Sequence, residues 1–142
     1  MNIVGGKIMK QTKGEPLRVQ FTHVENDNVK KTIARCKVKP ENVPYIVYNE
    51  FFDLFENKTG AFEWDSYVSI YAETVCKDGD SYDPKIGEKI ARKKIMKKFM
   101  SMLQQAAKVK GKRLLNEAEE VLDFRKFAKD CEIDIIKYLR NQ

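Results

Sequence analysis

The sequence predicts an α+β fold, with an N-terminal antiparallel sheet of three to four strands followed by two long C-terminal helices. Three observations carry this reading. Apolar and polar residues alternate with period two between Leu17 and Lys39. Beyond Pro84 the apolar residues recur instead at three- and four-residue spacing. The length, 142 residues, lies near the ~150 expected of one domain, so sheet and helices are assigned to a single domain over 1–142 with the helices packed on one face.

Within 1–80, mainly strands are expected. In Leu17–Val24 the side chains Leu17, Val19 and Phe21 fall on one side and Arg18, Gln20 and Thr22 on the other. Glu25-Asn26-Asp27-Asn28 is turn chemistry, because short Asn and Asp side chains bond their own backbone. Lys31–Lys39 alternates again and stops at Pro40, which makes the two runs a hairpin. Met1–Met9 is read as a further strand bent at Gly5-Gly6. Pro44 suits a first helical turn, and Tyr48, Phe51, Phe52 and Phe55 recur at helical spacing, so a short aromatic helix is placed at 44–57. A strand through Tyr45–Tyr48 is the competing assignment. Ala61–Cys76 is β-branched and aromatic, and is a second β region.

Asp83 is a sound N-cap and Pro84 a sound first helical residue. The helix that follows is placed over 84–110, with the stripe Ile86, Ile90, Ile95, Phe99, Met102, Leu103 and Ala106, and Gly111 as its stop. A second helix occupies 113–140, either continuous or broken near Asp123 or Asp130. Its stripe includes Leu115, Ala118, Leu122, Phe124, Phe127, Ala128, Cys131, Ile135, Tyr138 and Leu139.

The net charge of +6 is unevenly placed. Between Lys85 and Arg113 stand eleven basic residues and one acid, Glu88, for a local net of +10 and a remainder of −4. A concentrated basic segment attracts anions, and phosphates or an acidic protein face are the candidate partners. A solvated lysine-rich helix face is the plain alternative. No run of ~18 apolar residues exists, so no membrane partner is expected. The first six residues lack the basic-then-apolar layout of a secretory leader. Three scattered cysteines, Cys36, Cys76 and Cys131, outside any CxxC pattern, argue for a reducing compartment and against a zinc site.

The sequence offers no recognisable catalytic set. His23 is the single histidine and has no carboxylate or cysteine near it in sequence that would make a triad or a metal set. No phosphate-cradling glycine loop is present. Asp78-Gly79-Asp80 resembles the start of a calcium loop without its later ligands. Asn57-Lys58-Thr59 matches a glycosylation sequon. The expectation is therefore no catalytic residue, no metal and no cofactor.

Tyr71-Ala72-Glu73-Thr74-Val75-Cys76, then Asp80-Ser81-Tyr82-Asp83, then Gly87-Glu88-Lys89-Ile90-Ala91-Arg92-Lys93-Lys94 together are similar to a pattern of small phage proteins. In that pattern a strand ends in A-x-C, a D-x-[FY] turn follows, and a helix opens with G-[RKE]-x-I-A-x-x-[RK]. In layout the chain resembles the Thoeris anti-defence sponge family. The resemblance implies a non-catalytic immune-evasion protein of the host cytoplasm, a homo-oligomer that sequesters an anionic nucleotide signal of the cyclic ADP-ribose type. It gives Tyr82 the part of the stacking aromatic and Arg92 that of the phosphate clamp, with Lys89, Lys93 and Arg113 as further phosphate partners. This chain departs from the family in carrying mostly Lys, a point charge without the planar fork that grips a diphosphate.

The residues themselves support a second reading, a nucleic-acid-binding protein or an inhibitor of a CRISPR effector acting through its basic helix. There the helix lies along phosphates and Tyr67 and Tyr71 of the sheet stack on bases. The direction of the cations separates the two. Cations turned inward around a concavity favour a small ligand; a continuous exposed ridge favours nucleic acid.

Overall fold

Period-two alternation in the N-terminal third becomes a twisted hairpin in the computed structural model, which describes residues 14–56, 67–76 and 81–142. Strand β1 runs Val19–Glu25 and β2 Lys30–Val38. The turn between them closes as its sequence predicts: Asn26 Oδ1 accepts the backbone N–H groups of Asn28 and Val29, at 3.0 and 2.7 Å. Strand β3, Val68–Val75, pairs antiparallel with β2, for a sheet order β1-β2-β3. The register sets Val19 opposite Cys36 and Arg35 opposite Tyr71. The proposed strand at Met1–Met9, the sequon and the calcium-like Asp78-Gly79-Asp80 lie outside the described residues.

Between β2 and β3 the chain makes two short 3₁₀ turns, Pro40–Asn42 and Tyr45–Val47, and then helix α1, Tyr48–Phe55. The aromatic helix placed at 44–57 is thus shorter, with the 3₁₀ turns at its start. The competing strand through Tyr45–Tyr48 does not form. Buried Asn42 fastens this corner. Its Nδ2 donates to the carbonyls of Glu15 and Pro16, both at 3.1 Å, and its Oδ1 accepts Lys39 N–H at 2.8 Å.

Helix α2 runs Pro84–Arg140. Two helices separated at Gly111 were expected, but the helix passes through that glycine. A glycine stops a helix by turning into the left-handed region. Gly111 stays helical among good helix formers with no proline after it, at about 1 kcal/mol relative to alanine. The chain divides into two compact units, Met1–Ala107 and Lys108–Gln142.

In the first unit the inward residues of β2 and β3 (Ala34, Cys36 and Val38; Val68, Ile70 and Ala72) join Phe51 and Phe52 of α1 and Ala91, Ile95 and Phe99 of α2 in one core. Phe51 is fully buried, edge-on to Phe99 with ring centroids 5.8 Å apart. The face of α2 that packs inward differs from the expected stripe at its start. Ile86 and Ile90 are 57% and 41% exposed, and the buried positions are Gly87 and Ala91. The reason is close approach: a Cβ on Gly87 would stand 2.3 Å from Oγ1 of fully buried Thr32. Only the smallest side chain lets the helix begin there.

In the second unit every residue from 111 to 142 is exposed, Phe124 and Tyr138 at 68% and 65%. No helix is long and apolar enough to cross a membrane among the described residues.

Candidate functional site

The residues singled out from sequence fall into different settings. Tyr82 is half-buried in a polar knot at the start of α2. Its hydroxyl lies 2.7 Å from His23 Nδ1 and 3.0 Å from Thr32 Oγ1, and it donates to the Lys31 carbonyl at 3.2 Å. His23 Nδ1 also lies 3.1 Å from Thr32 Oγ1, and His23 Nε2 lies 3.1 Å from Glu88 Oε1. A proton on Nε2 faces the carboxylate and leaves Nδ1 to accept from a hydroxyl. The knot ties β1, β2 and α2 together.

Tyr82 also lines a small pocket of about 280 Å³ with Thr74, Val75, Ile86, Gly87 and Ile90, and none of the other four singled-out residues does. Arg92 lies over the Phe21 ring of β1, 5.2 Å from its centroid. Lys89 and Lys93 are exposed on α2. Arg113 belongs to the second unit, with Nε 4.0 Å from Glu117 Oε1. Within the first unit, Lys89, Arg92 and Lys93 thus stand outside the pocket that Tyr82 lines. All seven basic residues from Lys85 to Lys98 are exposed.

A denser array stands on the outer face of the sheet. Alternation sends Arg35 and Lys37 of β2 outward, and the register places Tyr71 beside Arg35. The Arg35 guanidinium lies 5.9 Å from the Tyr71 ring centroid, and Lys37 Nζ lies 4.8 Å from that of Tyr67. These are cation–π distances. A groove of about 830 Å³ runs over this face, lined by Arg18, Arg35, Lys37 and Lys39 with two carboxylates, Glu15 and Glu41. A second groove, about 1030 Å³, lies between β3 and α2, lined by Lys94, Lys97 and Lys98 with one carboxylate, Glu73. Ser69, Ile70 and Tyr71 line both, so the two join across β3 into one track with a cationic excess.

Local chemistry holds the track in shape. Among the described residues strand β3 is an edge of the sheet, whose outward backbone groups need partners other than a strand. Lys94 Nζ donates to the Glu73 carbonyl at 2.8 Å and Lys98 Nζ to the Tyr71 carbonyl, so the lysines cap that edge. The Tyr71 hydroxyl donates to Glu73 Oε2 at 2.8 Å, and Lys31 Nζ lies 3.4 Å from the same oxygen. The hydroxyl of Tyr71, and then Lys31, hold the Glu73 carboxyl below the usual carboxylate range. That hydrogen bond, with the adjoining negative charge, raises the Tyr71 hydroxyl above the ordinary tyrosine value.

Sequence reasoning named Tyr67 and Tyr71 but missed the cations beside them. The signal was present in the alternation of Lys31–Lys39, which puts Arg35 and Lys37 on the face opposite Ala34, Cys36 and Val38. The His23–Glu88 contact had no such signal, since 65 residues separate the two. Among the described residues no group of three or more His, Cys, Asp or Glu is placed to hold a metal ion. No protein-family model, curated protein or solved structure matches the chain.

Proposed function

We propose that the protein binds single-stranded nucleic acid along the track over the sheet and α2. The observation that carries this reading is the outward pairing of Tyr67 and Tyr71 with Lys37 and Arg35, continuous across β3 with Lys94, Lys97 and Lys98. Flat aromatic rings accept any base by stacking, and cations beside them follow the phosphates. A track that joins two grooves across a strand suits an extended chain of nucleotides better than a small ligand, which is usually enclosed in a single pocket.

Capture of a cyclic nucleotide, implied by the resemblance above, asks for a free aromatic beside inward cations. Here the Tyr82 hydroxyl is engaged by His23, Thr32 and Lys31, and no cation among the described residues lines the small pocket beside its ring. These contacts favour the nucleic-acid reading.

The test is fluorescence anisotropy with a labelled single-stranded oligonucleotide, run beside its duplex and beside calorimetry with cyclic ADP-ribose isomers. Tighter binding of the single strand than of the duplex, lost on R35A and K97A substitution, supports the proposal. Binding of the cyclic nucleotide alone, or of no ligand, overturns it.

A further inference from the structure

The second unit carries an apolar face that its own residues leave open. Val121, Phe124, Ala128, Cys131, Ile135 and Tyr138 are spaced alternately three and four within helix α2, and all are exposed. This is the heptad seam of a coiled coil. Phe127 and Leu139 widen it, and the Phe124 and Phe127 rings lie 6.4 Å apart on one side of the helix. Phe124, Phe127 and Tyr138 are about two-thirds exposed, so full cover removes roughly 300–500 Å² from water. With the aliphatic residues the seam approaches the about 800 Å² per partner of a standard interface.

Charge order selects the occupant. Along the helix an acidic block (Glu117, Glu119, Glu120, Asp123) precedes a basic one (Arg125, Lys126, Lys129), then an acidic one (Asp130, Glu132, Asp134), then Lys137 and Arg140. A second copy running parallel and in register sets each block beside its own sign. A second copy running antiparallel, with residue 128 facing residue 131, sets every block beside its opposite. The same register places Val121 against Tyr138 and Phe124 against Ile135, a smaller side chain against a larger one. It also sets Arg125 beside Glu132 of the partner subunit twice, once on each side of the two-fold axis. We infer that residues 121–139 are the interface of an antiparallel homodimer, with Arg125 and Glu132 fixing its direction. The inference rests on this helix alone and stands or falls apart from nucleic-acid binding.

The experiment is sedimentation of the full chain over a concentration series, with a charge swap. R125E and E132R alone each replace two attractive contacts by two repulsive ones and raise the dimer dissociation constant roughly tenfold. The double variant R125E/E132R, and a mixture of the two single variants, restore dimerisation. Circular dichroism of each variant shows that the helix persists. A second readout is the thiol: under a mild oxidant A128C forms covalent dimers through the introduced thiol and Cys131 of the partner subunit, more readily than the unsubstituted chain.

A chain that is monomeric throughout the series overturns the inference. So does a dimer indifferent to R125E, or one in which the swap fails to rescue. Efficient crosslinking of the unsubstituted chain through Cys131 shows a parallel pair and overturns it as well.

Discussion

Replacing Tyr71 by alanine separates binding from folding more cleanly than any other single change. The ring is 44% exposed on the outer face of β3 and belongs to no part of the core. Its backbone carbonyl keeps its bond to Lys98 whatever the side chain. Folding loses the cross-strand pairing with Arg35, about 0.2–1 kcal/mol. Binding loses a stacking platform, about 1–3 kcal/mol per base, which is roughly a 5- to 150-fold rise in Kd. Tyr71→Phe keeps the ring and gives up the bond to Glu73, so it binds close to the unsubstituted protein. The assay is anisotropy of a labelled oligothymidylate at fixed salt, with urea unfolding of each variant alongside. The stacking argument is refuted if Y71A binds as tightly as the unsubstituted chain, or if Y71F loses as much as Y71A.

Three further outcomes follow from the packing and the polar contacts. Gly87→Ala gains about 1 kcal/mol of helix propensity but overpacks fully buried Thr32, which costs about 1–3 kcal/mol; a net loss of stability on urea unfolding is expected, and adding Thr32→Ala relieves part of it. Asn42→Ala removes three hydrogen bonds and leaves their buried partners unpaired, for a loss of about 1–3 kcal/mol and a lower thermal midpoint. The Tyr71–Glu73 pair gives two pH limits. Glu73 titrates below its ordinary value in the folded chain, so its contribution is full above that value and fades as pH falls through the lowered one. Tyr71 titrates above its ordinary value, so its contribution is full below about 10 and fades as pH rises through the raised one. The ultraviolet difference titration of Y71F against the unsubstituted protein shows one tyrosine missing from the high end of the range.

Features that depend on neighbours in sequence were legible, and those that depend on approach in space were not. The hairpin turn at Asn26 and the start of α2 at Asp83 are set within a few residues, and both formed as read: Asp83 Oδ1 accepts Lys85 N–H at 3.0 Å. The buried face at the start of α2 was misassigned to Ile86 and Ile90, because periodicity favours the larger apolar residue. The distance between helix and sheet at Thr32 demands the smaller one. Gly111 has the composition of a stop but lacks the left-handed turn that makes one. For the site, Tyr67 and Tyr71 could be read from the strand, whereas their union with Lys94, Lys97 and Lys98 depends on how α2 lies along β3. Tyr82 was legible as the residue before a helix, but its hydroxyl contacts with His23 and Thr32 were not, because 59 and 50 residues separate them.

The central claim, that the cationic track follows a phosphate backbone, is tested most directly by the salt dependence of oligothymidylate binding. Four to seven of the track's cations in contact with phosphates give a slope of log affinity on log salt of about −3 to −5, at ~0.7 per phosphate for a single strand. K97A reduces the steepness of that slope by about 0.7. An affinity that does not change with salt, or no binding at low salt, contradicts the account.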